Sequence, residues 1–282
     1  MFHIISCRYY SIASSLDYTK LEKENKNSNK ITVDLILTVL EYKSSGLQGI
    51  ERKGFCSNHL ADVEIGTSIM LYFKESTFHL PPNLLNQAVR RPILMVGAGS
   101  GIAPFRGFWQ QVVVDSLGVS NHEDFVERLE NLKLDHRTID TSFEKLHEKS
   151  DTTCMTMFFG CRDQESNLLA SETNVFTNVM KRFNTFSREQ NLPKQYVSDI
   201  MKEEHHLIYD ALVEKNGLIF VCGKITMADT VFKTLVSIIA EQLVDQHVVN
   251  NKESANVTAE DFINSLIDDG RYHQDIFGTE DV

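Results

Sequence analysis

Val96-Gly97-Ala98-Gly99-Ser100-Gly101-Ile102-Ala103-Pro104-Phe105-Arg106 decides the fold. The stretch continues the apolar run Ile93-Leu94-Met95-Val96, which predicts a strand buried on both faces. It leads into Phe105–Gln111, which can open a helix. A strand, a tight glycine turn and a helix N-terminus together cradle a pyrophosphate, because the free amides of the first turn point at it. Glycine lets the backbone take left-handed angles and approach a ligand closely. Pro104 suits an early helical turn, where its missing N–H costs nothing. The spacing Gly-x-Gly-x-Gly-x-x-Pro lacks the final glycine of the standard dinucleotide fingerprint. Its extension through Pro104, Phe105 and Arg106 sets it apart from an ordinary turn.

Outward from this turn the chain alternates. Strands are predicted at Ile93–Gly97, Met155–Gly160 and Leu218–Cys222, and helices at Phe105–Val114, Leu168–Arg182, Val197–Lys215 and Met227–Gln242. That rhythm implies a doubly wound parallel sheet with helices on both faces. Residues 116–150 interrupt it as a polar insertion with an amphipathic helix around Phe125–Leu134. Before Leu80 the pattern is β, with Val-, Ile- and Thr-rich runs at Ile31–Tyr42 and Ser68–Phe73 and a polar loop at Asp17–Lys30. Pro81-Pro82 marks a boundary, giving a β unit over 1–85 and an α/β unit over 86–282.

A chain of 282 residues holds a sizeable core and two domains. Its net charge of −11 argues against nucleic-acid binding and against a basic face for membranes. Any anion site must therefore be built from local cations. The five cysteines form no C-x-x-C pair, so neither a zinc site nor a disulfide framework is expected, and a reducing, cytoplasmic setting is the simple reading. No run approaches the ~18 apolar residues of a membrane helix, and residues 1–6 lack a signal peptide's basic start.

Several clusters admit two readings. Arg8-Tyr9-Tyr10-Ser11 can be an amphipathic strand, or a flavin-binding one in which arginine meets phosphate, tyrosine stacks and serine hydrogen-bonds. The run Arg52–Asn58 can be a plain loop or a second phosphate-binding turn. Ser187-Arg188 followed by Lys194-Gln195-Tyr196 can be a solvated loop, or a pocket of cations and hydroxyl for a 2′-phosphate with Tyr196 stacked on adenine. The lack of an acidic residue where an NAD site would place one favours NADP(H). Cys222 ends a strand, as a buried small hydrophobe or as a cofactor contact. The histidines form no site, and Arg271–Gly278 taken alone reads as a fraying tail.

In this order the segments resemble the C-terminal FAD/NADPH reductase module of the diflavin reductases, most closely the nitric oxide synthases of invertebrate type. The resemblance rests on RYYSIASS at 8–15, SGIAPFRGFWQQ at 100–111, FFGCR at 158–162, FSREQ at 186–190 and RYHQDIFG at 271–278. It implies a ferredoxin–NADP reductase-like fold, with a partial antiparallel FAD-binding barrel over 1–85 and an NADP(H)-binding α/β domain over 86–282. It implies FAD contacts from Arg8, Tyr10, Ser11, Gly54, Phe55, Cys56, Ser57 and the ring-covering Phe277. NADP contacts would come from Gly97, Gly99, Ser100, Gly101, Arg162, Ser187, Arg188, Lys194, Tyr196 and Asp229, and hydride transfer would be assisted by Ser11, Cys222 and Asp275. The family reaction carries hydride from NADPH to FAD and electrons on to FMN and haem. Tetrahydrobiopterin, calmodulin and the FMN and haem domains would belong to other parts of a full-length parent.

The resemblance also implies that the barrel starts well before Arg8, so its first strands are expected to be missing. Ala98 stands where the family has proline, and Lys224 where it has aspartate. Three roles are open to such a chain: an oxidoreductase module, a catalytically inactive NADP(H)-binding fragment, or an interaction module.

Overall fold

The structure is a computed structural model that describes residues 7–23, 30–43, 49–81, 91–134, 155–176 and 180–278. Its centre is a parallel sheet of β3 (Ile93–Ala98), β4 (Met155–Cys161), β5 (Met180–Phe186), β6 (Leu218–Lys224) and β7 (Tyr272–Phe277), in the order β5-β4-β3-β6-β7. The chain moves outward from β3 to β5, then returns to lay β6 against the other side of β3. The direction reverses between β3 and β6, and open α/β sheets bind ligands at the carboxyl ends of strands that flank such a reversal.

The sheet is covered on both faces, as its apolar strands require. Ile93 and Met95 belong to one core cluster, with Phe105, Trp109, Met157 and Phe220. Leu94 and Val96 belong to the other, with Phe158, Val221, Leu235 and Ile263. Burying each such side chain contributes roughly 1.5–3 kcal/mol. On the first face lie α3 (Ala103–Leu117), with Pro104 in its first turn and Gly118 ending it in the left-handed region, and α4 (His122–Leu134). On the second lie α6 (Val197–Glu203), α7 (His205–Tyr209), the π-turn Asp210–Glu214, α8 (Ile225–Asp245) and α9 (Lys252–Asp268).

Several local expectations are corrected. Leu168–Arg182 is not one helix: among the described residues only α5 (Ala170–Thr173) and a following 3-10 turn are helical, and β5 begins at Met180. The edge strand β5 is polar because its side chains work on the loop before it. Arg182 donates to Asn184, to the Thr173 hydroxyl and to Asn167. Val197–Lys215 forms three short pieces rather than one helix. Arg271–Gly278 is not a fraying tail. Tyr272–Phe277 pairs with β6 along its length, and the Arg271 guanidinium donates to the carbonyls of Gly217 and Leu212. Residues 82–90 and residues 135–150 of the polar insertion lie outside the described residues, including the 85/86 boundary.

Before β3, the small antiparallel sheet of β1 (Glu41–Lys43) and β2 (Glu51–Lys53) fits a partial barrel. The runs at 31–40 and 68–73 are not regular strands: they carry one isolated bridge, Ile12 to Leu35. The Arg52–Asn58 segment is the end of β2 followed by a helix, α2 (Phe55–Asp62), rather than a turn. α1 (Leu16–Glu22) sits against α3 and α4, with the Tyr18 and Phe125 rings edge to face at 5.2 Å.

Candidate functional site

The glycine run does what its sequence demands. After β3 the chain makes a 3-10 turn over Gly99–Ile102 and enters α3. Gly99 lies in the left-handed region at φ 55°. A Cβ on Gly101 would fall 2.2 Å from the carbonyl oxygen of Cys222. The turn is thus pressed against the end of β6, and a Cβ on Gly97 would meet the Phe105 ring at 3.0 Å. These are the two strand ends that flank the sheet's reversal, Gly97 lying level with Cys222. The first-turn amides of a helix lack partners within it, so a helix start placed beside these strand ends suits a pyrophosphate.

At the same level three segments converge. Cys222 on β6 lies beside Asp275 on β7, and the Cys222 thiol points at Asp275 Oδ2 at 3.9 Å. Ser11 arrives from the N-terminal segment, and its hydroxyl donates to the same carboxylate oxygen, 264 residues away in the chain. Burial, then the neighbouring Asp275 carboxylate, push the Cys222 thiol far above the usual range. Cys222 is therefore a protonated donor at neutral pH, and no thiolate nucleophile. Phe277, half-exposed, follows Asp275 by two residues on the same side of β7.

The second predicted group also comes together. Arg162 follows β4, and Ser187 and Arg188 follow β5, its neighbour. The Arg188 amide donates to the Arg162 carbonyl at 2.7 Å, and the Ser187 amide and hydroxyl both donate to the Cys161 carbonyl. Lys194 lies 4.9 Å from the centre of the Tyr196 ring, which stands half-exposed at the start of α6. Among the described residues no ion pair engages Arg162 or Arg188. Two exposed guanidiniums, a serine and a lysine on an aromatic at the sheet's carboxyl edge match the chemistry of a dianionic phosphate. Asp229 lies exposed in α8, within electrostatic reach of Tyr272, whose phenol is raised first by burial.

The predicted FAD residues are placed less compactly. Gly54 caps α2, where an added Cβ would meet Ser57 Oγ at 2.7 Å. The Ser57 hydroxyl is engaged by the Leu40 amide, and Phe55 is 76% exposed. Tyr10 is half-buried; burial and its hydrogen bond with Cys56 push the phenol up to about 12. Arg8 is exposed.

Sequence reasoning missed the joint beside the cradle. Arg106 donates to the Ala13 carbonyl at 3.0 Å, to Asp34 at 2.8 Å and to Glu172 at 2.8 Å, and Trp109 Nε1 donates to Glu172 as well. The one available signal was a charge interrupting the apolar face Pro104–Phe108.

Residues 95–233 match the oxidoreductase NAD-binding domain family. Over 275 residues, 96% of its length, the chain is 31% identical to a nitric oxide synthase of Drosophila melanogaster and covers 16% of it. It is 29% identical to a nitric oxide synthase-like protein of Bombyx mori, covering 20% of that protein. It is 31% identical to an inducible nitric oxide synthase of Cavia porcellus over 98% of this chain and 20% of that one. The chain thus spans about a fifth or less of the curated relatives it matches. No described helix is long and apolar enough to cross a membrane.

Proposed function

We propose, on the premise that the chain belongs to the diflavin reductase family and is most like the reductase module of nitric oxide synthases, that it binds NADPH and FAD and aligns them for hydride transfer. The reaction is NADPH to FAD, with electrons passing onward to FMN and haem for nitric oxide synthesis from arginine. Its partners are then the FMN and haem domains of the parent protein, and its setting the cytoplasm, in keeping with four free cysteines among the described residues. Its two units are 1–85 for FAD and 86–282 for NADP(H).

Bound NADPH would supply the hydride and bound FAD would accept it. The amides of Gly99–Gly101 hold the pyrophosphate, with Gly97 and Ser100 shaping the turn. Arg162, Ser187, Arg188 and Lys194 hold the 2′-phosphate, Tyr196 flanks the adenine, and Asp229 borders the nucleotide. Tyr10 and Phe277 flank the flavin ring, Arg8 and the α2 start (Gly54, Phe55, Cys56, Ser57) face its phosphates, and Asp275 orients Ser11 and Cys222. Cys222 keeps its proton on Sγ and serves as a hydrogen-bond donor beside the reacting atoms.

The observation that carries this reading is the meeting of Ser11, Cys222 and Asp275, from three distant segments, at the strand end against which the glycine turn is packed. Incubating the purified chain with excess FAD, desalting it and adding NADPH tests it. A retained flavin band that bleaches supports the reductase. A second reading, an NADP(H)-binding or interaction module without turnover, draws on the exposed Phe55, Ile65, Met70 and Phe73 of the flavin unit. It predicts nucleotide binding with no retained flavin.

A further inference from the structure

We propose that Arg106 is a positioning residue: it holds the 11–15 segment on helix α3 so that the Ser11 hydroxyl stays on Asp275. The inference rests on the reading of Ser11 and Asp275 given above. Among the described residues no regular strand fixes Ser11: residues 7–11 pair with no ladder, and the next residue makes only the isolated bridge to Leu35. Residues 13–15, just beyond it, are gripped by α3. Arg106 Nη1 donates to the Ala13 carbonyl at 3.0 Å, and Gln110 Oε1 accepts the Ser15 amide at 2.9 Å. Gln111 Oε1 accepts the Ser15 hydroxyl at 2.7 Å. Gly107 lies under the Ser14 backbone so closely that an added Cβ would sit 3.3 Å from it.

Arg106 is the charged member of this clamp and reaches both sides of it. The same guanidinium nitrogen that holds Ala13 pairs with Asp34 at 2.8 Å, while Nε pairs with Glu172 at 2.8 Å. Asp34 closes the loop, for its carbonyl accepts the Ala13 amide at 2.8 Å and its amide donates to the Ser14 hydroxyl at 2.9 Å. The fork geometry is specific to arginine: a lysine carries the charge, but its compact ammonium does not reproduce the two separate nitrogens that hold Glu172 on one side and Ala13 with Asp34 on the other. α3 also begins at the glycine turn, so one rigid helix carries the pyrophosphate cradle at its start and the Ser11 segment one turn later. The two halves of the reacting pair are thereby set in one frame, and alignment of that kind governs rate more than affinity.

The test compares Arg106→Lys, and the milder Asp34→Asn, with the wild-type chain. The first readout is deuterium exchange at the Ala13 and Ser15 amides without any ligand. About tenfold faster exchange there in Arg106→Lys, with a smaller rise in Asp34→Asn and core strands unchanged, supports the clamp. Unchanged exchange at both amides in both variants overturns it. The second readout separates positioning from stability. The NADP+ dissociation constant should stay within about twofold while flavin reduction by NADPH falls about tenfold. The Arg106→Lys loss should vanish in a Ser11→Ala background, because both act through one hydroxyl. Losses that multiply overturn the proposal. If wild type takes up neither NADP+ nor FAD, the proposed function fails, while the exchange readout still decides the clamp.

Discussion

The nucleotide half and the segment before it solve the burial problem in opposite ways. Every residue of β3 from Ile93 to Val96 is at most 1% exposed, with helices over both faces. In residues 31–73, by contrast, Ile31, Tyr42, Phe55, Ile65, Met70 and Leu71 are all exposed by about half or more. An open cleft of about 250 Å³ between this region and the 12–16 segment is lined by Ile12, Leu16, Ile31, Val33 and Phe73. The two regions meet through a polar joint on α3. A parallel sheet with crossover helices supplies its own cover, whereas a few strands of a barrel cannot, because closure needs all of them.

The sharpest break in this contrast is Gly101→Ala. Its methyl has nowhere to go against the Cys222 carbonyl, so a loss of about 3 kcal/mol and of NADP+ binding is expected, read by a thermal melt and calorimetry. A normal melt with intact binding would show the turn to be looser than its packing.

A matched pair of methionines comes next. Met95→Ala should cost about 3 kcal/mol, while Met70→Ala, at a fully exposed site, should change stability by less than about 0.5 kcal/mol. Equal effects would mean that the 31–73 face is covered in solution.

Arg188→Ala should weaken NADPH by about tenfold and leave NADH nearly untouched. Equal weakening of both would remove the 2′-phosphate contact.

The smallest effect is expected from His273, stacked on Phe220 with ring centres 4.6 Å apart. Burial holds its imidazole below the ordinary value, helped by the nearby His79, against an opposing hydrogen bond to Gly270. The unfolded chain therefore binds a proton first. Stability should be flat above pH 7 and fall as pH drops below about 6.5. His273→Gln should flatten part of that fall in a melting series, and an unchanged slope would assign it to other groups.

The legible parts of the fold were those in which one residue type has one physical use. Glycines at 97, 99 and 101 and the double-sided apolar strands were read directly, because left-handed φ, close approach and two-faced burial leave little choice. β5 and β7 were not legible. Each is an edge strand of mixed polarity whose order comes from a neighbour's backbone, and from Arg182 and Arg271 reaching across to loops. The α9 helix was missed because its buried stripe, Ala255, Ala259, Ile263 and Leu266, is short and rich in alanine. In the site, Ser11, Cys222 and Asp275 were found by resemblance; no local pattern links residues so far apart. The Arg106 joint was invisible for the same reason, since its partners Ala13, Asp34 and Glu172 are brought to it only by the fold.

Nucleotide choice is what the glycine turn and the cation cluster beside it should decide together, so calorimetric titration of the chain with NADP+ and, separately, NAD+ is the measurement to make. One-site binding of NADP+ at least about tenfold tighter than NAD+ is the result predicted by a glycine cradle joined to the Arg162, Ser187 and Arg188 pocket. Equal affinity for the two, or heat from neither, would contradict it.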